Sequence, residues 1–165
     1  MRNPQPVSAP EAVHPLDAVE RMISSNEWSF ERSDDEITIV VAGRWANYHI
    51  SFTWMEDIGV LHFACAFDLK VSDLRVAEVK DLVALINGQL WVGHFDLWSQ
   101  DEMMMFRHGQ EGAEGAISPQ QCRNVLVKGL EACEGYFPAF QFVVSAGKPA
   151  REALDMAMFQ TWGEA

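Results

Sequence analysis

The chain has 165 residues, 48% of them apolar or aromatic, and its 24 acidic and 12 basic side chains give a formal net charge of −12. This length suits one domain with a substantial core, and the apolar content excludes global disorder. Nucleic acid and anionic membranes would repel such a charge, and the four lysines are scattered along the sequence. We therefore expect no direct nucleic-acid or membrane partner.

Targeting and cysteine patterns favour a reducing cytoplasm. The N-terminus has no apolar run of signal-peptide length, and no later stretch reaches the roughly 18 apolar residues of a membrane span. The cysteines Cys65, Cys122 and Cys133 are odd in number and form no close pair typical of zinc or redox motifs. We interpret them as buried structural thiols in a reducing compartment.

The first third of the chain predicts a tail, a helix and two strands. Residues 1–13 are rich in Pro and Ala without periodicity, which predicts a flexible tail before a single domain over 14–165. Pro15 can open a helix at its first turn, and an apolar stripe follows it. The segments 28–32 and 36–42 then have the composition of strands.

A clear alternation of apolar and small or polar residues comes next. The apolar members of this pattern are Tyr48, Ile50, Phe52, Trp54, Leu61, Phe63, Cys65, Phe67 and Leu69. Period-two alternation on both sides of a turn containing Gly59 predicts an antiparallel hairpin, in which Met55 pairs with Val60. One face of this hairpin should pack against helices, and the other can face solvent or a partner.

The second half of the chain predicts one more hairpin between helices. Ser72 can cap a helix to about Leu90, which we expect to pack across the sheet. The subsequent segments are a strand at 94–98, a strand at 102–108, an acidic loop at 109–117, a helix from Ser118 to about Tyr136 and a final helix after Pro149. Pro138 either ends or kinks the helix that begins at Ser118, or a further stretch of helix follows it over 139–145. Grouped strands covered by helices indicate an α+β fold with an antiparallel sheet flanked by helices.

No catalytic motif is present in the sequence. A Walker loop, a GxSxG elbow, an HExxH helix and a dinucleotide glycine fingerprint are all missing. In the predicted first hairpin, His49 and His62 share a face but lie roughly 13 Å apart, which is too far to share one metal. We therefore expect no enzyme activity and no cofactor.

The second hairpin offers a metal-binding alternative. If Trp98 pairs with Glu102, His94 becomes a diagonal neighbour of His108, with Asp96 on the same face. Two imidazoles and one carboxylate can bind zinc or transfer protons. A register change of one residue would destroy this arrangement.

The same hairpin contains an unusual run of flexible and aromatic side chains. We assign a protein-binding role to Met103, Met104, Met105, Phe106 and Trp98. Alternate residues of a strand point to opposite faces, so if one face of this strand is buried, Met104 and Phe106 lie on the other. There, thioethers and aromatic rings suit an adaptable interface. The alternative is a core strand that is buried on both sides.

Acidic residues cluster around the first strand pair. They are Glu27, Glu31, Asp34, Asp35 and Glu36. Such a cluster is typical of a solvated face, or it guides a basic partner electrostatically.

Over most of residues 14–162 the sequence resembles the YbjN-like family of bacterial proteins. The resemblance rests on His14-Pro15-Leu16, the Trp28/Phe30 strand, GRWANYHISFTWMED, LHFACAFDLKV, ALINGQLWVGHFDLW, MMFRHG and YFPAFQFVVSAGKPAREAL. It implies the helix–sheet–helix fold of type III secretion chaperones, a homodimer, and a role as a regulator of sensory transduction. It brings no catalytic residue to this chain.

These observations lead to one favoured function and two alternatives. We favour a non-enzymatic, chaperone-like or regulatory domain that binds an unidentified protein partner, in bacterial sensory transduction or stress response. The first alternative is a metal sensor or metal-dependent enzyme built on the histidine pair of the second hairpin. The second is a small-ligand sensor with a pocket between the sheet and the helix at 73–90.

Overall fold

A computed structural model describes residues 13–98 and 100–162 of the chain. Its helices and strands, in chain order, are α1 Pro15–Ser24, β1 Phe30–Arg32, β2 Glu36–Ala42, β3 Asn47–Met55, β4 Val60–Phe67, α2 Val76–Asn87, β5 His94–Trp98, β6 Met103–Glu111, α3 Pro119–Ala146 and α4 Ala150–Trp162. The predicted order of helices and strands is confirmed. Of the predicted tail, residues 1–12 lie outside the described residues.

The six strands form one antiparallel sheet with the order β1-β2-β3-β4-β6-β5. The register predicted for the first hairpin is confirmed, because Met55 pairs with Val60 and His62 with Thr53. Side chains alternate between the two faces of each strand, so this register places the aromatic rings of Tyr, Phe and Trp in β3 and β4 on one face. That face carries Tyr48, Phe52 and Phe63, and none of the three is exposed.

The helices cover this apolar face. α1 contacts β2 and β3, α3 contacts β4 and β6, and α2 contacts β5 and the two C-terminal helices. The prediction that the helix after Ser72 crosses the sheet is therefore wrong, since α2 contacts chiefly the edge strand β5 among the strands, whereas the 28-residue α3 lies over β4 and β6. The two helices differ in length: the 28 residues of α3, at about 1.5 Å each, extend roughly 42 Å, whereas α2 has only 12 residues.

α3 begins as predicted and continues past its proline. Ser118 Oγ accepts from the Gln121 amide at 3.1 Å, and Gln121 Oε1 accepts from the Ser118 amide at 2.9 Å, which completes a capping box. Pro138 lacks the N–H that would bond to the carbonyl of Glu134, a defect that costs about 3 kcal/mol in an isolated helix. Buried side chains on both sides of it, including Phe137 and Phe140, hold the helix against the sheet.

Several segment boundaries differ from the sequence prediction, among them the ends of α2 at Asn87 and of α3 at Ala146 and the start of β6 at Met103. β1 begins at Phe30 rather than at residue 28. A 3-10 turn over Asp73–Arg75 precedes α2, and Ser72 makes no side-chain capping bond, so the predicted cap is wrong. The segment 109–117 is only partly a loop, because β6 runs on to Glu111, where it pairs with β4.

α3 approaches β4 very closely at one point. Gly129 is buried, and a Cβ atom built there would lie 2.3 Å from Phe63 Cε1. One turn further along α3, the Sγ atom of Cys133 lies 3.5 Å from that of Cys65. All three cysteines are buried, as predicted. The contact with Cys65, together with burial, raises the pKa of Cys133 far above its ordinary value, so these thiols act as packing groups.

Within the described part of the chain, no helix combines the length and the apolar character needed to cross a bilayer. This includes α3, whose length alone would suffice.

Candidate functional site: the open face of the sheet

The face of the sheet opposite the helices is formed by the second set of alternating side chains. One cross-strand row of this face consists of Glu31, Thr38, Ser51, Ala64, Arg107 and His94. The next row consists of Val40, His49, Ala66, Met105 and Asp96. We call this surface the open face. It is the solvent- or partner-facing side that the alternation in the first hairpin predicts.

A groove of about 1230 Å³ lies on the open face. Its floor is formed by small side chains in the middle of the sheet, among them Ser51, Ala64 and Ala66. Trp98, 47% exposed, and Met103 are cross-strand neighbours at its β5–β6 end. Small residues at the centre and large ones beside them thus give the sheet a concave surface.

The opposite end of the groove is acidic. Glu27, Glu31 and Glu36 line it around β1 and β2, together with Trp28 and Phe30. The fourth carboxylate of the lining, Asp68, follows β4 on the Met103 side, and its Oδ2 lies 3.6 Å from His49 Nε2. Glu36 accepts a hydrogen bond from Thr53 at 3.0 Å. No lysine or arginine contributes to this lining among the residues that the structure describes. The groove therefore has three of its four carboxylates at the β1–β2 end, and Trp98 with the thioether of Met103 at the β5–β6 end.

Arg107 lies on the open face near the apolar end, but its charge is compensated. Its Nη1 atom lies 3.0 Å from Asp96 Oδ2, and its Nε donates to His62 Nε2 at 3.1 Å. Burial, and then the positive charge of Arg107, lower the pKa of His62. A neutral His62 is the form that can accept this hydrogen bond. The network therefore leaves little net positive charge at the β5–β6 end.

In the Met-rich strand β6, the residues that we predicted to face a partner lie on the side that faces the helices. Met104 and Phe106 point into the core and are 0% and 1% exposed, so the expectation that they face a partner is wrong. Met103 and Met105 line the groove together with Trp98, but Met105 is only 6% exposed. Residues 104–106 are therefore buried on both faces, as the alternative of a two-sided core strand predicts. β6 also lies between β4 and β5, so its backbone groups are already paired on both sides. The protein-binding role stays a prediction, now for Met103, Met105 and Trp98.

The register required by the metal-binding alternative is wrong. Trp98 pairs with Met103 and not with Glu102, so His94 pairs with Arg107. This shift of one residue places His94 and His108 on opposite faces of the sheet, and Asp96 forms its ion pair with Arg107. Across 13–98 and 100–162, no three His, Cys, Asp or Glu side chains are grouped so that they could hold one ion.

Asn87 positions the edge strand β5, although in the sequence it is notable only as part of the family resemblance. At the end of α2, its Nδ2 donates to the Phe95 carbonyl at 3.0 Å, and its Oδ1 accepts from the Phe95 amide at 2.8 Å. Both bonds satisfy outward-facing backbone groups of the edge strand β5. Asn87 therefore ties α2 to the sheet and blocks this position against another strand. Sequence alone lacked a signal for it, since the contact depends on the position of α2.

The sequence over residues 15–142 matches the family YbjN, described as "Putative bacterial sensory transduction regulator". The chain belongs to the YbjN family. Among solved structures, the fold is similar to "Crystal structure of YbjN, a putative transcription regulator from E. coli", with a TM-score of 0.56 and 10% sequence identity. The match covers 91% of this chain and 97% of that one. No curated protein matches the sequence.

Membership in the YbjN family confirms the resemblance and the α+β fold class expected from the sequence. The family description is that of a regulator and names no reaction. At 10% identity the structural match carries the fold alone. The similarity to type III secretion chaperones and the homodimer stay predictions.

Proposed function

We propose that this chain is a regulatory, chaperone-like protein of the bacterial cytoplasm that binds a segment of a partner protein on the open face of its sheet. The observation that carries the proposal is the groove of about 1230 Å³ on the face without helices. Its lining combines the exposed Trp98 ring, the half-buried Met103 thioether and small side chains, which is the composition of an adaptable protein-binding surface.

Charge complementarity specifies the chemistry of the partner. Four carboxylates line the groove without a lysine or arginine among the described lining residues, and the whole chain carries a formal charge of −12. A partner segment that combines basic and apolar side chains fits this surface, and the charge would also accelerate its encounter with the groove. An acidic partner would be repelled.

Site-specific photo-crosslinking in bacterial cells tests the proposal with two matched positions. Val40 is 55% exposed on the open face, and Val127 is 44% exposed on α3 at the other side of the molecule. The photoreactive amino acid p-benzoylphenylalanine replaces one or the other in the full chain. We expect adducts to other proteins from position 40 and not from position 127.

The crosslinked segment is then identified by mass spectrometry and synthesised as a peptide. We expect it to contain basic and apolar residues and to bind the purified chain. Ser51→Trp, which fills the floor of the groove, should abolish both the adduct and the binding. Equal adducts from both positions, or peptide binding that survives Ser51→Trp in a folded protein, would overturn the proposal.

A further inference from the structure

We infer that the occupant of the groove is an amphipathic α-helix that lies across the strands, with its basic end over β1–β2 and its apolar end over β5–β6. The inference rests on the proposed function and specifies the conformation, length and direction of the partner segment. Three observations support it: the paired backbone of the sheet, the width of the open face and the concentration of three of the four groove carboxylates at the β1–β2 end.

The conformation follows from the hydrogen bonding of the sheet. The backbone groups of β2, β3, β4 and β6 are paired with a neighbouring strand on each side, so the open face offers a ligand only side chains. A partner segment buried there must satisfy its own N–H and C=O groups, as a helix does and an extended strand does not. At the β5 edge, Asn87 occupies the backbone groups of Phe95, which disfavours strand addition at this position.

The length follows from the width of the sheet. From β1 to β5 there are five inter-strand steps. At about 4.8 Å each, these steps span roughly 24 Å. A helix that crosses this distance at about 1.5 Å per residue has about 16 residues. The small side chains of Ser51, Ala64 and Ala66 lie halfway along this path, where the helix must approach most closely.

The direction follows from the two ends of the groove. Glu27 and Glu31 lie at the β1 end, whereas Trp98 and Met103 lie at the β5–β6 end. Lysine or arginine in one terminal turn of the helix would meet the carboxylates. Apolar residues at the i, i+3, i+4 and i+7 positions would cover the floor and the Trp98 ring.

A display library of random peptides of this length, selected against the immobilised full chain, provides the test. Counter-selection against Ser51→Trp retains only peptides that require the open face. We expect the selected sequences to show helical apolar periodicity with basic residues in one terminal turn. Circular dichroism should show a gain of helicity on binding, and a central proline should weaken binding at least tenfold.

Two pairs of substitutions with equal changes in net charge test the direction. Glu27→Gln with Glu31→Gln removes charge at the groove, and Glu56→Gln with Asp57→Asn removes charge from the turn after β3. We expect the first pair to weaken a selected peptide about five- to tenfold at low salt, and the second less than about twofold. The affinity of peptides in which single basic residues are replaced by norleucine, or other residues by lysine, locates the basic end of the helix.

The outcomes separate the inference from the function on which it rests. Selected peptides with period-two alternation, or binding that tolerates the central proline, would overturn the helix while leaving the groove as a binding site. Equal effects of the two charge pairs would overturn the direction. Selection that yields no peptide dependent on the open face would overturn both the inference and the proposed function.

Discussion

The close approach of α3 to β4 makes a quantitative prediction about Gly129. Its added Cβ would lie 2.3 Å from Cε1 and 2.7 Å from Cζ of Phe63. The Phe63 ring cannot retreat easily, because it is fully buried and packs edge-on against Phe52 and Phe106, with centroids 5.2 and 6.2 Å away. Gly129→Ala should therefore overpack the core, at a cost of about 1–3 kcal/mol.

Gly135 provides the matched control in the same helix, since nothing lies within 4 Å of a Cβ added there. Alanine is favoured over glycine in a helix by up to about 1 kcal/mol at either position. This propensity cancels in the comparison, so the free energies of unfolding of Gly129→Ala and Gly135→Ala should differ by about 1–3 kcal/mol. For a chain of 165 residues, each 1 kcal/mol corresponds to about 2–4 °C in Tm.

Urea unfolding followed by tryptophan fluorescence measures these free energies. The Phe63→Leu background removes the ring atoms that the new methyl group would meet, so the difference between the two alanine variants should shrink there. Equal stabilities of Gly129→Ala and Gly135→Ala in the wild-type background would refute the close approach of α3 to β4.

Four further predictions concern the edge strand, alkaline stability, the thiols and assembly. Asn87→Ala should lower the free energy of unfolding by about 1–3 kcal/mol and speed amide exchange at Phe95, because two backbone groups lose their partner; unchanged exchange would contradict this. Burial and the nearby Glu134 raise the pKa of Tyr48, and burial raises that of Cys122 to about 11, so both favour the protonated form in the folded state. Urea midpoints should then fall as pH rises above about 9–10, less steeply in Tyr48→Phe, whereas a midpoint flat to pH 11 would argue against both shifts. The three buried cysteines should resist an aromatic disulfide reagent in the native protein and react together in guanidinium; rapid native labelling would show that they are accessible. The predicted homodimer should give twice the 18.6 kDa chain mass by light scattering, and a single-chain mass at high concentration would exclude it.

Local patterns predicted much of the fold. The strict alternation around Met55 and Val60 fixed the register of the first hairpin, since a slip of one residue would bury its polar side. Ser118, Pro119 and Gln121 specified the start of α3, because each contributes to capping within the first turn. In both cases the determining interactions lie within a few residues of each other.

Long-range packing decided the features that were predicted wrongly. Either turn between β5 and β6 suits the sequence, and only the pairing of both strands within the sheet selects Trp98 opposite Met103. This register places Met103 and Met105, rather than Met104, on the open face, and it places His94 and His108 on opposite faces of the sheet. The continuation of α3 through Pro138 likewise depends on the sheet beneath it, which outweighs the local preference of proline.

The position of α3 has a consequence for biosynthesis. The strands β1–β4 are complete at Phe67, but α3, which covers β4, begins only at Pro119, 52 positions later. During translation, the apolar side of β4 therefore stays exposed until α3 has been made, which is the period when a nascent chain is most prone to aggregate. Nascent chains arrested before α3 should accordingly remain protease-sensitive, and those arrested after Ala146 has left the ribosome should become resistant.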